Sequence, residues 1–212
     1  MKKLKIGRIF VILILLSLFI LISVISYVDA VSNNIADSVF RLHVIANSDS
    51  KEDQELKLKV RDELLSYMNI ISKDSTSKQE AMQIANEHKE EFTQIAKKVI
   101  KENGYNYTVN VQIGKADFPT KYYGDITLPA GTYDALKVQI GEAKGQNWWC
   151  VMFPPLCFVD VSTGIVPDNS KQELKQSLDN EEYDLISKTD NNEISFKFKI
   201  VELFQNWRLG NK

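Results

Sequence analysis

The chain has 212 residues, 44% hydrophobic and 25% charged, with a formal net charge of −2 at neutral pH. Lysine and arginine total 26 against 28 acidic residues, with no basic stripe to neutralise phosphates, so nucleic acid is excluded as an expected partner. Two cysteines, two histidines and nine unclustered glycines imply no cofactor and no phosphate loop.

The N-terminus differs in kind from the rest. Lys2, Lys3, Lys5 and Arg8 precede "IFVILILLSLFILISVISYV", an uncharged run from Ile9 to Val28. A basic start, an apolar run and a small residue at Ala30 read as an export signal, with Ala30 the cleavage candidate. The run exceeds the usual signal core of roughly 7 to 15 residues. At about 20 residues it also suffices as an uncleaved membrane anchor. Either way the charges place residues 31–212 outside the cytoplasm. The expected division is a signal peptide or anchor over 1–30, a short polar tether "VSNNIAD" over 31–37, and one exported α+β domain over 38–212.

"SVFRLHVIANS" predicts a strand, with Phe40, Leu42 and Val44 on a firmly apolar face and Arg41 and His43 opposite. Ser50 and Asp53 resemble a capping box, and Leu56, Val60, Leu64 and Met68 mark an amphipathic helix over 51–70. Ser77 and Glu80 open a second helix, whose stripe from Ala81 to Val99 includes His88 and ends at Gly104. The short loop between them predicts an antiparallel helix pair. "YNYTVNVQI", Thr120 to Leu128 and Asp134 to Ile140 then predict strands of an antiparallel sheet. "GQNWWCVMFPPLCFVD" (145–160) adds one or two more, with a Pro-Pro hairpin. "DNSKQELKQSL" opens closing C-terminal helices, and Phe196, Ile200, Leu203, Phe204 and Trp207 repeat at helical spacing, although "SFKFKI" also alternates. The expected class is α+β.

A Cys–His hydrolase is the first chemical possibility, with Cys150 or Cys157 as nucleophile and His43 or His88 as base. His88 reads better as a core histidine within its helix stripe. Neither cysteine opens a helix or sits in a glycine turn that would activate it. If Phe153 and Pro154 form the tip of a turn, Cys150 and Cys157 face each other across the hairpin. A disulfide is then preferred over two buried free thiols. Trp148 and Trp149 point to opposite faces of a strand, so one can serve as a contact residue; both in the core of a two-sided sheet is the competing arrangement.

Two stretches resemble a known family. "FRLHVIANSDSKEDQELKLKVRDELL" (40–65) resembles the N-terminal signature of the stage II sporulation protein R family. "LPAGTYDALKVQIGEAKGQNWWCVMFPPLCFVD" (128–160) is similar to its second signature, with Ala143 where glycine is expected in many relatives. The resemblance implies a signal rather than a catalyst. Such a protein is made in the forespore and exported to the space between forespore and mother-cell membranes. There it activates a polytopic membrane aspartic protease that processes pro-sigma-E. The contact residues it implies are Arg41, His43, Asn47, Ser48 and Asp49 in the first motif and Trp148, Trp149, Pro154 and Pro155 in the second. The alternative remains an exported Cys–His hydrolase of cell wall or peptide.

Overall fold

In the computed structural model, which describes residues 2–157, 166 and 168–187, twelve elements follow one another. They are α1 (Lys2–Ser38), β1 (Phe40–Ile45), α2 (Lys51–Ile71), α3 (Lys78–Glu87), α4 (Lys89–Glu102), β2 (Val109–Phe118), β3 (Lys121–Tyr123), β4 (Ile126–Leu128), β5 (Gly131–Ile140), β6 (Asn147–Phe153), α5 (Asp168–Ser177) and α6 (Asn180–Ser187). The architecture is α+β with an apolar N-terminal helix, in line with the expected class.

Four strands form one sheet in the order β2-β5-β1-β6, and β3 with β4 makes a separate two-stranded sheet. The expected antiparallel sheet is instead mixed, because β1 runs parallel to β5. A parallel pair needs a long crossover, and α2, α3, α4 and β2 supply it. Consequently β1 is central and buried along its whole length. Leu42 and Val44 join the helices in the main core, whereas Arg41 and His43 are enclosed on the opposite face. A polar parity was therefore no sign of a solvated face.

Local chemistry accounts for the helix ends. The Ser50 hydroxyl accepts from the Asp53 amide at 3.2 Å, and Ser77 does the same for Glu80. At Gly104, with φ +86°, the amides of Gly104 and Tyr105 bond the carbonyls of Lys101 and Ile100, the paired pattern of a Schellman motif. The single helix expected from Ser77 to Lys101 is broken at His88. That residue is half-exposed rather than core, and its Nδ1 meets the Tyr67 hydroxyl at 2.8 Å. The break lets Ala81 and Ala85 on one piece and Phe92 and Ala96 on the other all reach the core. The strand expected over 120–128 is likewise split, at Gly124 with φ +57°.

Residues 31–37, expected as a tether, form the end of α1. Val31, Ile35 and Ala36 share one helical side, and Ile35 is fully buried. The apolar stripe at 196–207 and "SFKFKI" lie outside the described residues, as does the second arm of the expected Pro-Pro hairpin from 158 onward.

Candidate functional site

The strongest polar construction joins the two quoted signatures at the C-terminal end of β1. The carbonyls of Ala46 and Asn47 accept from the amides of Gly145 and Lys144 at 3.0 and 3.1 Å. Asn47 Oδ1 accepts from the Glu142 amide at 3.0 Å, and Asp49 Oδ1 accepts from the Gln146 amide at 2.7 Å. Two glycines make this approach possible. A Cβ on Gly141, which has φ +58°, would collide with the Asn47 side chain, and one on Gly145 would collide with the Ser48 carbonyl. Ala143 in the same loop has φ +52°, a left-handed backbone that suits the glycine expected there.

Asp53 is the hub beneath the clamp. Asn47 Nδ2 and Ser48 Oγ both donate to its Oδ2, at 2.8 and 2.6 Å. Burial alone would raise its pKa. Hydrogen bonds from Ser48, Asn47 and Tyr107 outweigh that effect and hold the carboxyl below its usual range. Lys57, 4% exposed, donates to the Gln146 carbonyl at 3.1 Å from below. Neither residue was among those expected at the site. Asp53 reads in sequence as ordinary helix N-terminal charge, and nothing in the spacing marks Lys57.

Strand β6 leaves this clamp beside β1, with Trp148 opposite Val44 and Trp149 opposite His43. The two half-buried tryptophans do point to opposite faces. Trp148 lies under the Arg61 guanidinium, 4.1 Å from its ring centre. Trp149 stacks on His43 with centroids 3.7 Å apart and leans on Phe118 at 4.8 Å. Neither is wholly in the core and neither is free of it.

His43 is 6% exposed, and its Nε2 meets Asn147 Oδ1 at 2.7 Å. Since that oxygen can only accept, the proton sits on Nε2, and Nδ1 is buried with no hydrogen-bond partner among the described residues. Burial is the main force that lowers its pKa to about 4, opposed by the Asn147 bond and aided by the charges of Lys137 and Arg41. The ring is neutral at physiological pH.

Arg41 is fully buried, so it is an interior group and not a contact one. Its Nη2 donates to the Tyr123 hydroxyl at 2.7 Å, and its guanidinium lies 3.9 Å from the Phe118 ring centre and 4.5 Å from that of Tyr133. The Tyr123 hydroxyl in turn donates to the Trp149 carbonyl at 3.3 Å. Among the described residues an aromatic cage thus stands where a buried arginine ordinarily has a carboxylate.

Cys150 and Cys157 are joined by a disulfide with Cα atoms 5.4 Å apart. Pro154 is buried and Pro155 half-buried, and the Pro155 carbonyl accepts from the Ser170 hydroxyl at 2.8 Å. Both prolines are therefore packed into the turn rather than displayed. With both sulfurs bridged, the Cys–His hydrolase reading has no thiol nucleophile. Among the described residues no group of three or more His, Cys, Asp or Glu is placed to hold a metal ion. Ala30 lies exposed within α1, far in sequence from this surface.

What the clamp leaves at the surface is Asp49, Gln146 and Asn147, all exposed, with Trp149 half-exposed on the Asn147 side of the strand and Trp148 half-exposed on the other. Such a set can recognise a protein surface through rigid aromatic area and amide hydrogen bonds.

A family model described as stage II sporulation protein R matches residues 36–163. Stage II sporulation protein R of Bacillus subtilis (strain 168) is 43% identical over 130 residues, which cover 61% of this chain and 58% of that relative. The match thus spans less than two thirds of the relative's length. No solved structure matches the chain.

Proposed function

The chain belongs to the stage II sporulation protein R family, a membership that supports a role in sporulation, and on that premise we propose that it is an exported signal rather than a catalyst. Made in the forespore, it acts in the space between the forespore and mother-cell membranes. Its target is a polytopic membrane aspartic protease, which it activates to process pro-sigma-E. One observation carries this reading. Two motifs almost a hundred residues apart in sequence spend their polar groups on each other, holding Asn147 and Trp149 rigidly at one edge of the sheet. A preorganised aromatic-amide surface suits recognition, because little conformational entropy is lost on binding. The bridge between Cys150 and Cys157 fits an oxidising compartment outside the cytoplasm.

Co-production of the full chain with the protease and pro-sigma-E in a non-sporulating host tests the proposal. Processing of pro-sigma-E is expected only when all three are present. Absence of processing by a chain shown to be exported would sink it. Substitution of Trp149 by alanine should lower processing at least several-fold, by more than its loss of stability in denaturant titration accounts for, with export retained.

A further inference from the structure

Helix α1 changes role partway along its length. Its apolar side chains are broadly exposed from Ile9 to Val24 and at Tyr27, and the exposure ends near Ala30. From Val31 onward the same helix is part of the domain, with Ser32 7%, Ile35 0% and Ala36 5% exposed. The two parts meet without a break, since α1 is helical from Lys2 through Ser38.

The docked end is bound by three separate elements. Asn34 Nδ2 donates to Glu182 Oε1 of α6 at 2.8 Å, and the Ser38 hydroxyl donates to the Ser177 carbonyl of α5 at 2.9 Å. Lys78 of α3, itself 6% exposed, donates to the Ala36 carbonyl at 3.1 Å, a cation at the negative end of the helix dipole. The same ammonium pairs with Asp134 of β5 at 2.6 Å.

The exposed part suits hydrocarbon. About 20 residues of helix cover the roughly 30 Å core of a bilayer. The Ser17 and Ser23 hydroxyls bond back to the carbonyls of Ile14 and Phe19, so neither is left unsatisfied in lipid.

We propose that the apolar segment is retained as an uncleaved anchor, and that α1 mounts the domain on the outer leaflet as one continuous rod. Two successive protections preserve the Ala30–Val31 bond. During insertion no glycine or proline lies between Ile9 and Phe40 to break the helix into the extended form that a peptidase accepts. After folding, Val31 packs against the core on one side of that bond.

The geometry of mounting follows. From Val28 to Ser38 the helix rises about 15 Å, with no flexible stretch between membrane and domain. Strand β1 then carries the chain on by about 20 Å, so the clamp lies at the opposite end of β1 from the junction with α1. A partner of the clamp surface is met at a set distance from the junction rather than by a diffusing molecule. This inference stands on α1 alone and is independent of which partner the domain binds.

Production of the full chain in a bacterial host with its own signal peptidase, followed by alkaline carbonate extraction and mass measurement, is the test. The expected product is the intact 24.2 kDa chain, resistant to extraction. A soluble product that begins at Val31 overturns the anchor. Tyr27→Pro, which interrupts the helix ahead of Ala30, should convert the chain into that released product. An intact, membrane-held Tyr27→Pro chain overturns helical continuity as the protecting feature.

Discussion

The two ends of β1 are held by opposite kinds of chemistry. At its N-terminal end, where α1 enters, the contacts centre on an ion-pair group, alongside the hydrogen bonds of Asn34 and Ser38: Lys78 binds Asp134 and the Ala36 carbonyl of α1, and Lys115 shares Asp134 at 3.1 Å. At its C-terminal end the contacts are mainly hydrogen bonds among loop amides, carbonyls and side chains, with the Asp49 and Asp53 carboxylates and the Lys57 ammonium each spent on such bonds rather than on an ion pair. The ionic end tolerates variation in backbone shape, because long side chains reach across gaps. The clamp end has no such slack, since its backbones touch and only glycine fits at two positions. One end is suited to bearing a load, the other to presenting a surface of defined shape.

The largest expected effect lies at the ionic end. Lys78→Ala removes a buried ammonium that serves both Asp134 and Ala36, and should lower stability by about 3 kcal/mol, the usual cost of breaking a buried pair. Denaturant titration of the full chain in detergent measures it; a loss within error would mean that Lys115 suffices for Asp134. Next comes Gly145→Ala, for which about 2 kcal/mol is expected from overpacking against the Ser48 carbonyl. Unlike Lys78→Ala, it should also weaken the proposed activation of the protease more than stability explains, because the displaced loop leads into β6 with Asn147 and Trp149. Equal functional effects of the two variants would erase the distinction between the ends.

His43, between the two ends, gives the comparison a pH axis. Its folded pKa of about 4 lies below the unfolded value near 6.5, so the unfolded chain binds the extra proton first as pH falls. Its contribution to stability is present above pH 6.5 and declines down to about pH 4. His43→Gln should flatten that part of the stability profile. The slope that remains at lower pH is shared by Asp53, Asp134 and Glu142, whose pKa values are also lowered and whose contributions vanish as they protonate. An unchanged slope between pH 6.5 and 4 would show that His43 is not the group titrating. The smallest effect is a gain: Ala143→Gly should stabilise by about 1 kcal/mol through relief of a left-handed backbone.

Much of the fold was legible because its signals are local. Ser50 and Ser77 cap helices as their spacing predicts, Gly104 closes one, and the apolar run of 9–28 is a single helix. The errors share a cause. Arg41 and His43 were expected among the contact residues, but β1 is covered on both sides and encloses them. Residues 31–37 looked like a tether because only Ile35 and Ala36 interrupt the polar residues after Val31, yet those side chains suffice once β5 and α6 are present to receive them. Trp149 was rightly separated from Trp148, although its partner His43 is set by strand register across a hundred intervening residues.

The sequence by itself determined the apolar segment, the α+β class, the helix caps and the pairing options of two cysteines, since each depends on residues within a few turns of one another. Only the tertiary structure decided that β1 is central and parallel to β5, that Arg41 is interior, and that Asn47 and Asp49 hold the 141–147 loop. Those outcomes depend on which distant backbones come to lie side by side. Side-chain period and local hydrogen bonding carry no record of that choice.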